Sequence, residues 1–109
     1  MTDTADTDKG FKLPSLLTLQ TAAKLSIVED KPIMMDYWTS SLEKKSIIGF
    51  ISKEVRYLRR SSEEYTSLIV KFYQVGEEFV ISTENSLYIV DYNMSKKKVS
   101  IVRDKMIIL

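Results

Sequence analysis

Residues 67–92 of this 109-residue chain, SLIVKFYQVGEEFVISTENSLYIVDY, carry its clearest structural signal. They divide into three largely apolar runs near residues 67–75, 78–83 and 87–92, with Gly76-Glu77 and Glu84-Asn85 between them. Connections this short join antiparallel neighbours, because a parallel pair of strands needs a crossover of roughly a dozen residues or more. The stretch therefore predicts a β-meander.

The pattern of apolar residues also predicts which strand faces are buried. Within residues 78–83, Phe79, Ile81 and Thr83 alternate with Glu78, Val80 and Ser82 in a way that is typical of one buried face. Residues 47–51, 68–73 and 87–90 are instead apolar on both faces. In an antiparallel sheet such strands must be covered on both sides, so we expect a helix on one side and closure of the sheet on the other.

A helix is predicted over residues 14–30, PSLLTLQTAAKLSIVED. Ser15 or Thr18 can cap it, and Lys31-Pro32 ends it, because the residue before proline is excluded from the α region. One stripe of the helix should dock on the sheet. Its members are Leu16, Leu19, Ala23 and Ile27.

Further strands are predicted near residues 33–40, 46–52, 55–60 and 98–103. The predicted fold class is therefore α+β, with the N-terminal helix packed on a strongly bent antiparallel sheet that forms an SH3-like or other small barrel, or a roll. Residues 1–10 are acidic and contain nothing large to bury, so we expect a disordered acidic tail followed by one domain over residues 11–109.

Composition restricts the possible chemistry. The chain contains no histidine and no cysteine, which removes the commonest general base, the thiol nucleophile and the usual zinc ligands. We therefore predict no enzyme activity, no catalytic residue, no cofactor and no metal.

The first ten residues do not resemble a signal peptide, and no apolar run approaches the roughly 18 residues of a membrane span. These features favour an intracellular protein without a membrane partner.

Candidate interface residues lie in two segments, Met34, Asp36 and Trp38 in the first, and Ile107 and Leu109 at the C-terminal end. Strand alternation would place Asp36 on the face of Met34 and a half-exposed Trp38, paired with Arg56, Arg59 or Lys71, or else desolvated with a raised pKa. We expect residues 106–109, MIIL, to be held by packing, on this domain or on the edge of a neighbour.

A nucleic-acid-binding small barrel is the alternative function. Basic residues beside several tyrosines would form a groove with stacking platforms for a single strand. The candidates are Arg56, Arg59, Arg60, Lys96, Lys97 and Lys98. Acidic residues interrupt these groups and the net charge is only +1, so these features favour charged, solvated turns over a nucleic-acid-binding surface.

Residues 27–38 (IVEDKPIMMDYW), 63–67 (EEYTS) and 83–90 (TENSLYIV) resemble short proteins encoded by giant nucleocytoplasmic DNA viruses. The resemblance covers roughly residues 13–92 and supplies no catalytic residues. It implies a viral protein made in the host cytoplasm, with the virion as an expected location. The leading prediction is a non-enzymatic protein interaction or assembly module, acting through a protein partner or self-association, and a minor virion component is one form that it would take.

Overall fold

The computed structural model describes residues 12–109. The predicted tail over residues 1–10 lies outside the described residues. Within the described range, the chain forms two helices and nine strands. These are α1 (Leu16–Glu29), β1 (Ile33–Met34), α2 (Trp38–Leu42), β2 (Ile47–Phe50), β3 (Arg56–Ser61), β4 (Glu64–Tyr65), β5 (Ile69–Val75), β6 (Glu78–Thr83), β7 (Leu87–Asp91), β8 (Ser95–Val102) and β9 (Lys105–Ile108).

The strands form two hydrogen-bonded sections with the orders β1-β7-β6-β5 and β4-β3-β2-β8-β9. Together they make a strongly curved, nearly closed mixed sheet on which α1 packs, so the predicted α+β, small barrel-like fold is confirmed. Pairing is not antiparallel throughout, because β1 pairs with β7 and β2 with β8 in parallel. Each parallel pair is far apart in sequence, so the intervening elements supply the crossover that short loops cannot.

Helix α1 begins and ends within two residues of its predicted limits. The Ser15 side chain accepts a hydrogen bond from the Thr18 backbone N–H at 3.1 Å, as expected of an N-cap. At the other end, Asp30 adopts a left-handed conformation with φ 55°, immediately before Lys31-Pro32. Local sequence signals therefore determine both ends of this helix.

The central strand β6 is buried on both faces. Ile81 contributes to a core cluster between the two sections, and its neighbour Val80 contributes to a second cluster beneath α1 and α2. The prediction of a single buried face for residues 78–83 is therefore wrong. The sequence pattern predicts that the face with Glu78 and Ser82 is exposed. Both residues are buried, because the helices cover this face.

Residues 33–40 do not form the predicted strand. Only Ile33–Met34 pairs in a sheet, and the chain then turns into α2, which packs against β7. The indole N–H of Trp38 donates to the backbone oxygen of Lys12 at 2.7 Å, and Trp38 is only 4% exposed. The spacing of two in this segment therefore does not reflect a strand. The chain forms a β-turn after Met34 and then the short helix α2.

The C-terminal segment pairs with β8, but the predicted packing of residues 106–109 holds only for Met106, since Ile107, Ile108 and Leu109 are exposed. Strand β9 forms a hairpin with β8, and Met106 is fully buried in a third cluster with Ile47 and Val99. The hairpin approaches β2 closely at Gly49, where a Cβ atom would lie 3.1 Å from both the Met106 Sδ and the Val99 methyl groups. A side chain at this position would require Met106 and Val99 to shift by a few tenths of an ångström, so glycine favours the close contact.

Candidate functional site

Polar contacts fix α1 on the sheet at both of its ends. At the N-terminal end, the Ser15 backbone N–H and the Thr18 hydroxyl donate to the buried carboxylate of Glu78. At the C-terminal end, the carboxylate of Glu29 accepts hydrogen bonds from the hydroxyls of Tyr73 and Ser82, each at 2.7 Å. These hydrogen bonds at the two ends determine which face of the helix meets the sheet.

The Glu29 contacts favour its charged form. Hydrogen bonds from Tyr73 and then Ser82 lower the pKa of the Glu29 carboxyl below its usual range, against the opposing effect of burial. Lys31, whose Nζ lies 3.5 Å from Oε1 of Glu29, lowers the pKa further. The hydrogen bond between Tyr73 and Glu29 also raises the pKa of the Tyr73 phenol. The C-terminal end of α1 is thus attached to the sheet by a carboxylate at neutral pH.

The apolar stripe of α1 faces solvent. Leu16 is 70% exposed and Ile27 is 82% exposed, and Leu19 and Ala23 are exposed as well. The prediction that this stripe docks on the sheet is therefore wrong. Its spacing is correct, but Thr18 and Ala22 occupy the docking face, because their small side chains permit close approach while the carboxylates bond at either end.

Other apolar residues extend this exposed surface along the helix. We define the outward face of α1 as the stripe with its exposed apolar neighbours on the helix. They are Leu16, Leu17, Leu19, Ala23, Ile27 and Val28. Exposed apolar side chains grouped on one helix mark candidate sites of interaction, and here the exposed Gln20 and Lys24 lie among them.

The predicted interface residues are dispersed over the fold. Met34 is on β1, an edge of one section, and Ile107 is on β9, an edge of the other, and both are partly exposed. Leu109, which follows β9, is 72% exposed. Trp38 is a core residue, so its predicted half-exposed position is wrong. The structure does not bring these residues together.

Asp36 does not have the predicted environment. It is exposed, and within the described part of the chain it forms no ion pair with Arg56, Arg59 or Lys71. Arg60 instead binds its backbone oxygen, with Nη1 at 2.6 Å. The strand alternation behind the prediction does not apply, because Asp36 lies in the turn before α2.

Of the six residues predicted to contact nucleic acid, some already have intramolecular partners and others do not. Arg59 donates through Nε to the Met106 backbone oxygen at 3.0 Å. Arg60 forms an ion pair with Glu64 at 3.0 Å and lies over the ring of Tyr37. Both guanidinium groups therefore have structural partners, which removes two of the expected phosphate contacts.

The lysines of β8 point to alternate faces. Lys96 pairs with Ile48 and lines a cavity with it, whereas Lys97 pairs with Gly49 on the opposite face. Lys98 pairs with Phe50 and is exposed. The run of lysines therefore does not form one continuous basic surface.

A cavity of about 200 Å³ brings together basic and aromatic side chains from both sections of the sheet. Arg56 lies over the ring of Phe72, with 4.6 Å between Cζ and the ring centroid. The complete lining is Ile48, Phe50, Ser52, Lys53, Arg56, Phe72 and Lys96. Three cations meet here without an acidic neighbour in the lining. The candidates from the sequence include Arg56 and Lys96. Lys53 belongs to the same basic group as Arg56 but was not a candidate, and Phe50 and Phe72 were missed.

The serine and lysine of Ser41-Leu42-Glu43-Lys44 have structural partners. The fully buried Ser41 hydroxyl donates to the Trp38 backbone oxygen at 2.6 Å and accepts from the Asp91 N–H at 2.9 Å. Lys44 Nζ donates to the Asn93 backbone oxygen at 3.3 Å. The Ser41 hydroxyl thus joins α2 to β7.

Comparison with protein-family models, with curated proteins and with solved structures found no match. The resemblance to proteins of giant DNA viruses accordingly stays a prediction. Among residues 12–109, no helix has the length and apolar character needed to cross a membrane. The same residues contain no group of three or more carboxylate side chains arranged to hold a metal ion.

Proposed function

We propose that this chain is a non-enzymatic assembly module that associates with a second copy of itself through the outward face of α1. The supporting observation is the orientation of the helix, since its apolar stripe faces solvent while small and hydrogen-bonded residues face the sheet. Fully burying a side chain such as Leu16 or Ile27 contributes about 1.5–3 kcal/mol, so covering this stripe is a substantial driving force.

The spacing of exposed residues on α1 supports a second copy as the partner. Three members of the stripe, Leu16, Ala23 and Ile27, and the exposed Gln20 between them follow one another at intervals of four, three and four residues, which is symmetric about the point between residues 21 and 22. Two such helices can therefore pair antiparallel about a twofold axis. Leu16 of each copy then meets Ile27 of the other, and Gln20 meets Ala23, whose small side chain permits close approach.

The size of the surface predicts the strength of the association. A helix of 14 residues is about 21 Å long at about 1.5 Å per residue. One pair of such helices buries less than the roughly 800 Å² per partner of a stable interface. We therefore expect a concentration-dependent dimer with a dissociation constant of roughly micromolar order rather than a permanent one.

Sedimentation equilibrium from about 1 μM to about 1 mM tests the proposal, since this range spans the expected dissociation constant. The wild type should progress from monomer to dimer, and Ile27→Lys should remain monomeric. Val102→Lys is the matched control, because it replaces another exposed β-branched residue, on strand β8 of the section of the sheet that does not carry α1, and should still dimerise. A wild type that is monomeric throughout, or equal loss in both variants, contradicts the proposal.

Charge complementation identifies the partner as a second copy in antiparallel register. Leu16→Glu alone and Ile27→Lys alone should each be monomeric. In an equimolar mixture, the new carboxylate of one copy faces the new ammonium of the other, while Ile27 and Leu16 still meet at the second contact. A mixed dimer should therefore form. If the mixture stays monomeric while the wild type dimerises, the proposed register is wrong.

A further inference from the structure

We infer that the cavity between β2, β3, β5 and β8 binds a phosphate monoester whose organic part is a single ring or a short apolar chain. The cavity is formed by elements other than α1, so this inference is independent of the proposed self-association. It combines a cationic side with an apolar side, and each side restricts the chemistry of the ligand.

The cationic side consists of Lys53, Arg56 and Lys96. None of the three forms an ion pair within residues 12–109, and the cavity lining contains no carboxylate. The Nε atom of Arg56 is buried and has no hydrogen-bond partner among the described residues. Because the three cations line one cavity, an anion bound there would be attracted by all of them and would accept a hydrogen bond from a guanidinium group.

A phosphate monoester fits this charge better than a carboxylate. It carries about −1.5 to −2 at neutral pH and has three acceptor oxygens, against one negative charge on a carboxylate. Arginine and lysine together are the side chains that most often bind phosphate. A doubly charged group therefore matches three converging cations.

The apolar side is formed by Ile48, Phe50 and Phe72. The Phe72 ring is already fixed, with Arg56 above it and the edge of Phe79 at 5.4 Å between centroids. The cavity volume is about 200 Å³. That space accommodates a phosphate and one ring, and it is smaller than the roughly 300–1,000 Å³ of pockets for drug-sized ligands.

Calorimetric titration of the full chain with phenyl phosphate tests the inference. Phenyl phosphate should bind about tenfold more tightly than inorganic phosphate, because the ring gains apolar contacts, and phenol alone should not bind measurably. Failure of phenyl phosphate to bind the wild type, or affinity no better than that of inorganic phosphate, overturns the assignment.

Adjacent lysines of β8 provide the matched control. Lys96→Gln should weaken phenyl phosphate binding about tenfold, as expected for loss of one charge-assisted hydrogen bond, whereas Lys97→Gln on the opposite face should change it by less than about twofold. Both residues are exposed and both variants lose one charge, so folding and net charge are matched. Equal weakening by the two variants would mean that only overall charge matters and would overturn the assignment.

The monoester chemistry has two sources, a free metabolite and the phosphorylated end of an oligonucleotide. Oligothymidylate with a 5′-phosphate should bind at the same site as phenyl phosphate and should lose affinity in Lys96→Gln but not in Lys97→Gln. Tighter binding than phenyl phosphate would identify the nucleic-acid end as the source, and equal or weaker binding the small molecule. If the 5′-hydroxyl oligonucleotide binds as well as the phosphorylated one, internal phosphodiesters are the ligand and the monoester assignment is wrong.

Discussion

The phenol of Tyr73 donates a hydrogen bond to the carboxylate of Glu29 across 2.7 Å, and this contact joins the last turn of α1 to strand β5. The two residues are 44 positions apart in the sequence. Ser82 on the neighbouring strand β6 donates to the other oxygen of the same carboxylate. A single charged group therefore orients the helix against two strands.

The first prediction concerns acid stability. The folded-state pKa of Glu29 lies below its usual value of 4.5, so its contribution to stability is fully present above about pH 4.5 and is lost as the pH falls through the folded-state pKa. Glu29→Gln should lower the free energy of unfolding at neutral pH by about 1 kcal/mol, because the charge-assisted bonds become neutral ones. The difference from wild type should shrink as the pH falls below about 4.5.

Urea unfolding from neutral pH down to about pH 3 measures this difference. Glu84→Gln, at an exposed position in the β6–β7 turn, is the control and should change stability at neutral pH by less than about 0.5 kcal/mol. A Glu29→Gln deficit that is the same at every pH would show that the charge of Glu29 does not contribute.

A second pH effect is expected in alkali. Burial raises the pKa of Tyr37 from 10.0 to about 12, although the nearby Arg60 guanidinium acts in the opposite direction. A folded-state pKa above the unfolded one means that the contribution to stability is complete below pH 10 and is lost as the pH rises toward 12. The free energy of unfolding of the wild type should therefore fall across this window.

Tyr37→Phe isolates this alkaline effect. The variant loses the hydrogen bond to the Glu64 backbone oxygen, 3.2 Å long, and should be about 1 kcal/mol less stable at neutral pH. Since phenylalanine does not ionise, its stability should decline less than that of the wild type in alkali, and the two curves should converge. Parallel curves in urea unfolding would show that Tyr37 ionises equally easily in the folded and unfolded states.

The strands of residues 67–92 and the limits of α1 were predictable because their causes are local. Strand periodicity, the cap at Ser15 and the stop at Pro32 can each be identified within a few residues. The face on which α1 docks was not predictable. The helical period identified the stripe containing Leu16 and Ile27, but a stripe indicates only that a surface is apolar and not which partner covers it. The contact of Glu29 with β5 and the contact of Thr18 with Glu78 on β6 determine the orientation.

The basic cavity was only half predictable for a related reason. Its lining residues come from β2, β3, β5, β8 and the loop after β2, so their proximity depends on the complete sheet order. The parallel pairing of β2 with β8 places Lys96 beside Ile48, and no local pattern encodes that pairing. In residues 33–40 a local pattern was present but gave the wrong structure. Met34, Asp36 and Trp38 have the spacing of residues on one face of a strand, although α2 begins at Trp38.

The last prediction concerns the turn between β8 and β9. Arg103 and Asp104 connect the paired residues Val102 and Lys105, and both have positive φ, at 53° and 65°. A two-residue hairpin of this kind favours glycine or asparagine, because other side chains collide with the backbone in the left-handed region. The present residues therefore store strain in the turn that carries Met106 into the core.

Asp104→Gly should relieve this strain. The left-handed conformation costs a residue with a side chain about 1–2 kcal/mol, and glycine avoids this cost. Glycine loses more conformational entropy on folding, which offsets about 0.5–1 kcal/mol of the gain. The free energy of unfolding should therefore rise by about 0.5–1 kcal/mol. Lys105→Gly is the control, since Lys105 is in β9 and does not have a positive φ, and it should destabilise the protein. Urea unfolding separates the two outcomes.

Because Met106 is fully buried and its backbone N–H donates to the Ser62 oxygen at 2.7 Å, strain relieved in the turn should stabilise the whole domain. An Asp104→Gly variant that is no more stable than the wild type would show that the hairpin opens independently of the rest of the fold.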